Sequence, residues 1–317
     1  MSTVLKKDKI LGYTAGIISG ITYGMNPLFA RPLMENGVSV DTMLLFRYLI
    51  SVLLLGGWVL LTSESTSIAR MFSINKKQAF RLIILGLLFG FSSLTLFSSY
   101  KYMPSGLATT IIYLYPVIVA MIMVMFRVYP TWQVWLSITL TFIGVVILCR
   151  TDGSIAFQWQ GILLAGTSAM LYAIYLVIIN RSTSLRTVPN NILTFYALLV
   201  GSSIFLIHHL ISAFSFDLES INIEHSLFAG VTGLKVWTNL LGLALFPTII
   251  SLVCLAISAR KIGPTKTSIL GVFEPLTAII IGTSLFDEPL TVNIIIGASI
   301  SIFAIIFMIA TGPKGQK

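Results

Sequence analysis

The chain has 317 residues, of which 56% are hydrophobic and only 10% are charged, and its formal net charge is +9. Because a soluble domain carries about a quarter charged residues, this composition indicates a protein whose main solvent is lipid. It excludes a soluble enzyme, a DNA-binding module and a disordered tail, none of which could keep so much apolar surface out of water. Basic residues beside membrane spans explain the charge, so no nucleic-acid partner is expected.

Ten apolar runs follow one another along the chain, each close to the roughly 20 residues that a helix needs to cross a bilayer. They lie near residues 10–30, 42–62, 79–99, 105–126, 131–149, 158–180, 191–213, 237–257, 264–286 and 291–311. The longest connections, 63–78 and 214–236, are polar enough to be loops or short interfacial helices. The predicted fold is therefore an all-α integral membrane protein with ten transmembrane helices.

The distribution of Lys and Arg over alternate connections predicts the orientation of the spans. One side receives fifteen of these residues and the other receives four, while Arg47 lies within a span. Since cytoplasmic loops carry the excess of positive charge, both termini are predicted to be cytoplasmic, in a multi-pass protein of the cell or inner membrane. Adding or removing one span would reverse every later loop and destroy this bias, so the count of ten is consistent with it.

The sequence also contains an internal duplication. At an offset of 159 the residues in register are Ser99 with Ser258, Thr109 with Ser268, Pro116 with Pro275 and Pro130 with Pro289. At an offset of 149 they are Gly12 with Gly161, Ser19 with Ser168 and Tyr23 with Tyr172. We predict two repeats, 1–150 and 151–317, with five helices each. Because five is odd, tandem repeats enter the membrane from opposite faces, which gives two inverted repeats of the kind found in carriers that work by alternating access.

Two prolines mark corresponding depths in the fourth and ninth spans. Pro116 and Pro275 each lack a backbone N–H and so free a carbonyl near the centre of the bilayer. Such carbonyls are tolerated only against protein or a water-filled cavity, so a matched pair of interrupted helices points to a binding site. The alternative for either proline alone is a kink that serves packing.

Several short elements together resemble the drug/metabolite transporter superfamily, in its ten-helix EamA-type branch. These elements are Phe46-Arg47-Tyr48, Tyr115-Pro116, Glu274-Pro275 and Asp287-Glu288-Pro289. One departure is visible, since Tyr129 replaces the acidic residue that the family has before the fifth span. The resemblance implies export or exchange of amino acids, other small metabolites or drugs through a cavity lined by spans one, three, four, six, eight and nine.

Glu274 is the only acid in the middle of a predicted span, where an ionised carboxylate is costly. A carboxyl group that takes up a proton when buried and loses it when the cavity opens would suit proton coupling. It shares a helix face with small residues such as Gly271 and Ala278, so it could instead be a hydrogen-bonding post between helices. The sequence leaves both roles of Glu274 open, a functional one in proton coupling or substrate contact and a structural one as a hydrogen-bonding group between helices.

Arg47 lies about 9 Å into the second span, counted from Asp41 at 1.5 Å per residue. Its long side chain is expected to extend to the extracytoplasmic surface. The alternatives are binding of a substrate carboxylate or pairing with Glu274. A role as a gate or in the structure is preferred to direct binding of the substrate.

Aromatic and amide side chains recur in both repeats, because Tyr23 corresponds to Tyr172 and Asn26 to Tyr175 at the offset of 149. With Tyr113, these residues combine apolar bodies with hydrogen-bonding tips, which suits a cavity for amphipathic solutes. The alternative is that they join helices by hydrogen bonds.

The sequence predicts neither a metal site nor a cofactor. His208 and His209 are adjacent and so point to different helix faces, and no nucleotide-binding or metalloprotease motif is present. The prediction is a secondary transporter, not an enzyme, that moves a small-molecule substrate, with proton coupling and a homodimer left open. The alternatives are a nucleotide-sugar or organic-anion exchanger of the same superfamily, and, in a different class, an intramembrane lipid-modifying enzyme.

Overall fold

The computed structural model describes residues 2–62, 74–99, 102, 111–148, 159–214, 230–286 and 292–311. Every regular element within these ranges is helical. The α-helices are α1 (Ser2–Gly24), α2 (Asn26–Glu35), α3 (Val40–Thr62), α4 (Lys76–Ser99), α5 (Tyr115–Met125), α6 (Trp132–Leu148), α7 (Trp159–Arg181), α8 (Asn190–Phe214), α9 (Leu234–Ala244), α10 (Ser251–Ile262), α11 (Pro264–Leu270), α12 (Phe273–Leu285) and α13 (Val292–Thr311). Thr109, most of the two long loops, the side chains of His208, His209 and Pro275, and the Asp287-Glu288-Pro289 element lie outside this description.

Five helical stretches of the described residues are long and apolar enough to cross a membrane. They are Val40–Leu61, Lys76–Ser99, Trp159–Arg181, Asn190–Ile207 and Leu234–Ile262. Shorter apolar helices accompany them, and large apolar side chains such as Leu61 and Met125 face outward with 88% and 82% of their surface exposed. An apolar exterior of this kind is stable in lipid and not in water. The chain is a multi-pass membrane protein, and the count of ten spans stays a prediction.

Two pairs of helices are joined by buried serines in the same way. Ser251 of α10 donates from Oγ to the Ser19 carbonyl of α1 at 3.1 Å, and the two hydroxyl oxygens are 3.3 Å apart. Ser92 of α4 donates from Oγ to the Ser168 carbonyl of α7 at 3.1 Å, and these hydroxyl oxygens are 3.0 Å apart. Ser19 corresponds to Ser168 at the offset of 149, and Ser92 to Ser251 at the offset of 159. The duplication therefore extends to the hydrogen bonds between helices.

A row of glycines lets α1 approach its neighbours closely. Gly12, Gly16, Gly20 and Gly24 are four residues apart and so lie on one face of the helix. A Cβ atom on Gly24 would collide with the Glu274 carbonyl oxygen of α12, so only glycine fits there. At the offset of 149 this row corresponds to small buried residues of α7, namely Gly161, Ala165, Ala169 and Ala173. Small residues at helix interfaces are typical of membrane proteins, because they allow close packing of backbones.

Candidate substrate pocket

In the described ranges, four helical stretches are interrupted, and each interruption is followed or accompanied by a proline. Turns occur at Met25, at 113–114 and at 271–272, and Leu245–Ile250 forms a π-helical turn around Pro247. The interruptions before Pro116 and Pro275 were predicted from sequence. Those at Met25 and Pro247 were not, although Pro247 stands inside the predicted eighth span and could have indicated one.

A proline has no N–H to donate to the carbonyl four residues before it. At three of the four interruptions, a side chain lies within hydrogen-bond distance of that carbonyl. The Asn26 side chain donates from Nδ2 to the Tyr23 carbonyl at 2.7 Å, which Pro27 cannot reach. The Thr248 hydroxyl donates to the Leu243 carbonyl at 2.8 Å, which Pro247 leaves free. The Tyr113 hydroxyl lies 3.1 Å from the Gly271 carbonyl, which is the carbonyl that Pro275 leaves free. Polar groups therefore collect at the interruptions because the backbone at this depth requires them.

The three turns, at Met25, at 113–114 and at 271–272, lie beside a cavity of about 170 Å³, whereas the π-helical turn contributes no lining residue. Its walls come from α1, α2, α4, α5 with the turn before it, α7 and α12. The lining residues are Tyr23, Gly24, Asn26, Pro27, Phe89, Ser92, Ser93, Leu96, Ile112, Tyr113, Tyr115, Tyr172, Glu274 and Ala278. Tyr23, Asn26, Tyr113, Tyr172 and Glu274 were among the residues predicted from sequence, and the structure brings them together here. We call this cavity the central pocket.

Glu274 provides the acidic group of the central pocket. Its Oε2 lies 3.2 Å from the Tyr113 hydroxyl, which is also within hydrogen-bond distance of the Gly271 carbonyl. The neighbouring Tyr115 donates its hydroxyl hydrogen to the Ser268 carbonyl at 2.9 Å. Two tyrosines at the start of α5 thus cover the interrupted region between α11 and α12. This arrangement leaves the carboxyl group facing the pocket, with one tyrosine hydroxyl beside it.

Aromatic rings form a continuous row, the aromatic wall, of which all but Tyr175 line the central pocket. Tyr115 meets Tyr172 edge to face at a centroid distance of 5.0 Å, and Tyr172 stacks on Tyr175 at 6.1 Å. Phe89 closes this row at 5.5 Å from Tyr175. Such pairs hold large rings in fixed orientations, which makes this wall rigid.

Tyr175 does not line the central pocket, in contrast to its prediction as a cavity residue. Its side chain is fully buried behind Tyr172, and its hydroxyl has no hydrogen-bond partner among the described residues. The physical reason is that α7 continues unbroken through this position, whereas α1 ends at Gly24 and the chain turns at Met25 before the corresponding Asn26. Asn26 is thereby brought to the pocket.

Arg47 also differs from expectation, because its side chain does not extend to the membrane surface. It is 3% exposed and donates from Nε to the Thr248 hydroxyl at 2.6 Å and from Nη2 to the Pro247 carbonyl at 3.2 Å. The guanidinium carbon lies 5.8 Å from the centroid of the Tyr23 ring. The π-helical turn offers acceptors inside the protein, so the arginine binds there instead of reaching water, and it forms no ion pair with Glu274.

Sequence reasoning missed Ser92, Ser93 and Phe89 as pocket residues. Ser92 carried a usable signal, because it is in register with Ser251 at the offset of 159. Phe89 carried none, since one phenylalanine in an apolar helix is not distinguishable from the others. Within the described part of the chain, no three His, Cys, Asp or Glu residues come together as metal ligands would.

Membrane-crossing helices around an internal pocket of solute size, mainly apolar but with a few polar groups, define the class of protein as a multi-pass membrane protein with a candidate carrier site. The EamA-like transporter family matches this chain twice, at residues 10–150 and 159–310. The chain belongs to that family, and the predicted resemblance to drug/metabolite transporters is confirmed. The two matches begin 149 residues apart, which is the offset found in the first helices of the repeats.

A solved crystal structure superposes on this chain with a TM-score of 0.68, at 16% sequence identity. The superposition covers 96% of this chain and 97% of the other. At that identity the likeness concerns the fold alone. No curated protein matches the chain.

Proposed function

We propose that the protein is a secondary transporter of ten helices in two inverted repeats, which exports amino acids or related small metabolites by alternating access. The observation that carries this proposal is a pocket with mainly apolar walls and a few polar groups, between two interrupted helices, α5 with the turn before it and α11–α12, in corresponding places of the two repeats. Carriers with inverted repeats bind their solutes at such places. The two matched serine pairs support the repeat, because unrelated helices would not share them.

We further propose that both termini are cytoplasmic and that Glu274 couples transport to protons. The excess of Lys and Arg on the side of the termini supports the orientation. Glu274 supports the coupling because it is the acidic group of a pocket that is otherwise aromatic and hydroxylic. A proton on this carboxyl group would travel with, or in exchange for, the substrate.

An anionic cargo, such as a nucleotide sugar, fits less well. Among the described residues, no Lys or Arg lines the central pocket, and Arg47 already binds Thr248 and Pro247. The enzyme alternative would need a set of acid, His or Cys residues, whereas the described part of the lining supplies a single acid.

The experiment is uptake of labelled amino acids into liposomes that contain the full chain, with and without an imposed pH gradient. Glu274→Gln is expected to abolish the part of accumulation that depends on the gradient while leaving the protein folded. Glu35→Gln is the matched control, because Glu35 lies at the surface, where it pairs with Arg31 at 3.0 Å. Equal accumulation at all pH values by the parent protein and by Glu274→Gln would remove Glu274 from the coupling role.

The same assay tests the aromatic wall. Tyr172→Ala is expected to raise the half-saturation concentration of the substrate or its competitor several fold, whereas Tyr172→Phe, which keeps the ring, has a smaller effect. An unchanged half-saturation in Tyr172→Ala would mean that this residue serves packing between helices.

A further inference from the structure

The walls of the central pocket do not follow the division of the sequence into repeats. One wall has Tyr23 and Gly24 of α1 with Glu274 of α12, and the other has Ser92 of α4 with Tyr172 of α7. We propose that the pocket opens between two rigid bodies, each with helices from both repeats, and that Arg260 latches these bodies together on one face. This inference rests on the proposed transport function and adds which helices move together and which residue holds them.

The first body consists of α1, α10, α11 and α12. The glycine row of α1 packs against residues of α10, α11 and α12, so that the backbones lie too close for independent movement. Ser19 and Ser251 join α1 to α10 in the buried interior. At the end of the same helices, Lys261 binds Asp8 at 2.7 Å.

The second body consists of α4, α5 and α7, with the segment 182–189 that follows α7 and that Gln78 of α4 binds. The small residues of α7 are buried where it packs against α4 and α5, and Ser92 and Ser168 join α4 to α7. At one end, Gln78 of α4 donates from Nε2 to Thr187 Oγ1 at 3.0 Å, in the segment that follows α7. Helices α3 and α8, which pack against each other, are not assigned to either body.

Arg260 connects the two bodies, which the hydrogen bond from Tyr115 of α5 to the Ser268 carbonyl of α11 also joins. It lies in the last turn of α10, and its Nη1 and Nη2 donate to the carbonyls of Val188 and Leu185 at 2.8 and 2.9 Å. Beside it, Asn180 of α7 donates from Nδ2 to the Ala259 carbonyl at 2.8 Å. These acceptors are backbone carbonyls and carry no negative charge, so water can replace them when the bodies separate.

The latch lies on the face that also holds Asp8 and Gln78, which we call the N-terminal face. Between this face and the central pocket stand Phe89 and Tyr175, both buried. The pocket is thus closed toward the N-terminal face by an aromatic layer with the Arg260 latch beyond it. Under the proposed orientation this face is cytoplasmic.

The test measures access to the pocket and needs no substrate. Cys149 and Cys254 are replaced by alanine, Ser93 is replaced by cysteine, and a membrane-impermeant maleimide is applied to right-side-out and inside-out vesicles. Arg260→Gln is expected to increase labelling from the N-terminal face at least fivefold. Lys261→Gln is the matched control, because it removes an adjacent charge whose partner Asp8 belongs to the same body. No increase in Arg260→Gln, or an equal one in Lys261→Gln, would overturn the latch.

A disulfide experiment tests the two bodies separately. Ser19→Cys with Ser251→Cys forms a bond within the first body, and the Arg260→Gln increase in labelling is expected to persist. Asn180→Cys with Ala259→Cys joins the two bodies, and the increase is expected to disappear. The reverse pattern would overturn the assignment of helices. If the protein takes up amino acids but Arg260→Gln does not increase labelling, this inference is wrong and the proposed function stands. If Arg260→Gln increases labelling but the protein transports none of the amino acids, the proposed function is wrong and this inference stands.

Discussion

The helices that begin the two repeats have the same small-residue face but different ends. In α1 the glycine row leads to a turn at Met25, and Pro27 follows, whereas α7 runs unbroken to Arg181 with Leu176 in the corresponding position. Asn26 therefore reaches the central pocket, and its counterpart Tyr175 is buried in the core. The comparison shows that duplicated packing positions build the scaffold, while single prolines decide which side chains form the site.

The largest effect is expected where the scaffold of α1 is tightest. Gly24→Ala places a Cβ atom against the Glu274 carbonyl, and because backbone cannot move aside as a side chain can, we expect a loss of about 3 kcal/mol in unfolding free energy. Reversible unfolding in mixed micelles measures it. Gly166→Ala in α7 is the control, since that Cβ would meet no atom within 4 Å, and a gain of about 0.5–1 kcal/mol is expected. Equal effects at both positions would contradict the close approach.

A second effect concerns the π-helical turn, which α4 lacks at the corresponding place. Thr248→Val keeps the shape of the side chain but leaves the buried Arg47 guanidinium and the Leu243 carbonyl each without one partner. We expect a loss of about 2 kcal/mol, because hydrogen bonds to charged groups are worth about 1.5–3 kcal/mol. Thr248→Ser keeps the hydroxyl and is expected to restore most of the stability.

The control for this substitution is Thr238→Val, because the Thr238 hydroxyl is exposed and bonds only within its own helix. It is expected to change stability by less than about 0.5 kcal/mol, as surface substitutions usually do. A loss in Thr238→Val as large as that in Thr248→Val would mean that the π-helical turn has no special need of its hydroxyl.

A third prediction concerns the interruption of α1 itself. Asn26→Ala removes the donor to the Tyr23 carbonyl, and a partly buried acceptor without a partner costs about 1 kcal/mol. The same substitution is expected to weaken substrate binding, because Asn26 lines the pocket. Unfolding and uptake measured on one preparation separate the two effects. Unchanged stability would show that the Tyr23 carbonyl has another partner, such as water from the pocket.

The sequence predicted those parts of the fold that depend on repetition and on proline. Apolar runs, the duplication and the interruptions at Pro116 and Pro275 are local or periodic signals, so each can be recognised in a single sequence. The destination of Arg47 could not be predicted in this way. Its acceptors, Thr248 and the Pro247 carbonyl, lie two hundred residues away in a π-helical turn, and only the packing of α3 against α9 and that turn brings them together.

The smallest effect in this comparison is expected at Tyr175, where substitution is expected to raise the unfolding free energy, whereas Gly24→Ala, Thr248→Val and Asn26→Ala are expected to lower it. Its hydroxyl is buried and has no hydrogen-bond partner in the part of the chain that the structure describes, so Tyr175→Phe removes an unsatisfied polar group and keeps the ring contacts with Tyr172 and Phe89. We expect a gain in unfolding free energy of up to about 1 kcal/mol. Tyr115→Phe is the matched control, because it removes the hydrogen bond to the Ser268 carbonyl and is expected to lose about 1 kcal/mol. A loss in both variants would mean that the Tyr175 hydroxyl has a partner after all, and that α7, like α1, brings this position into contact with water.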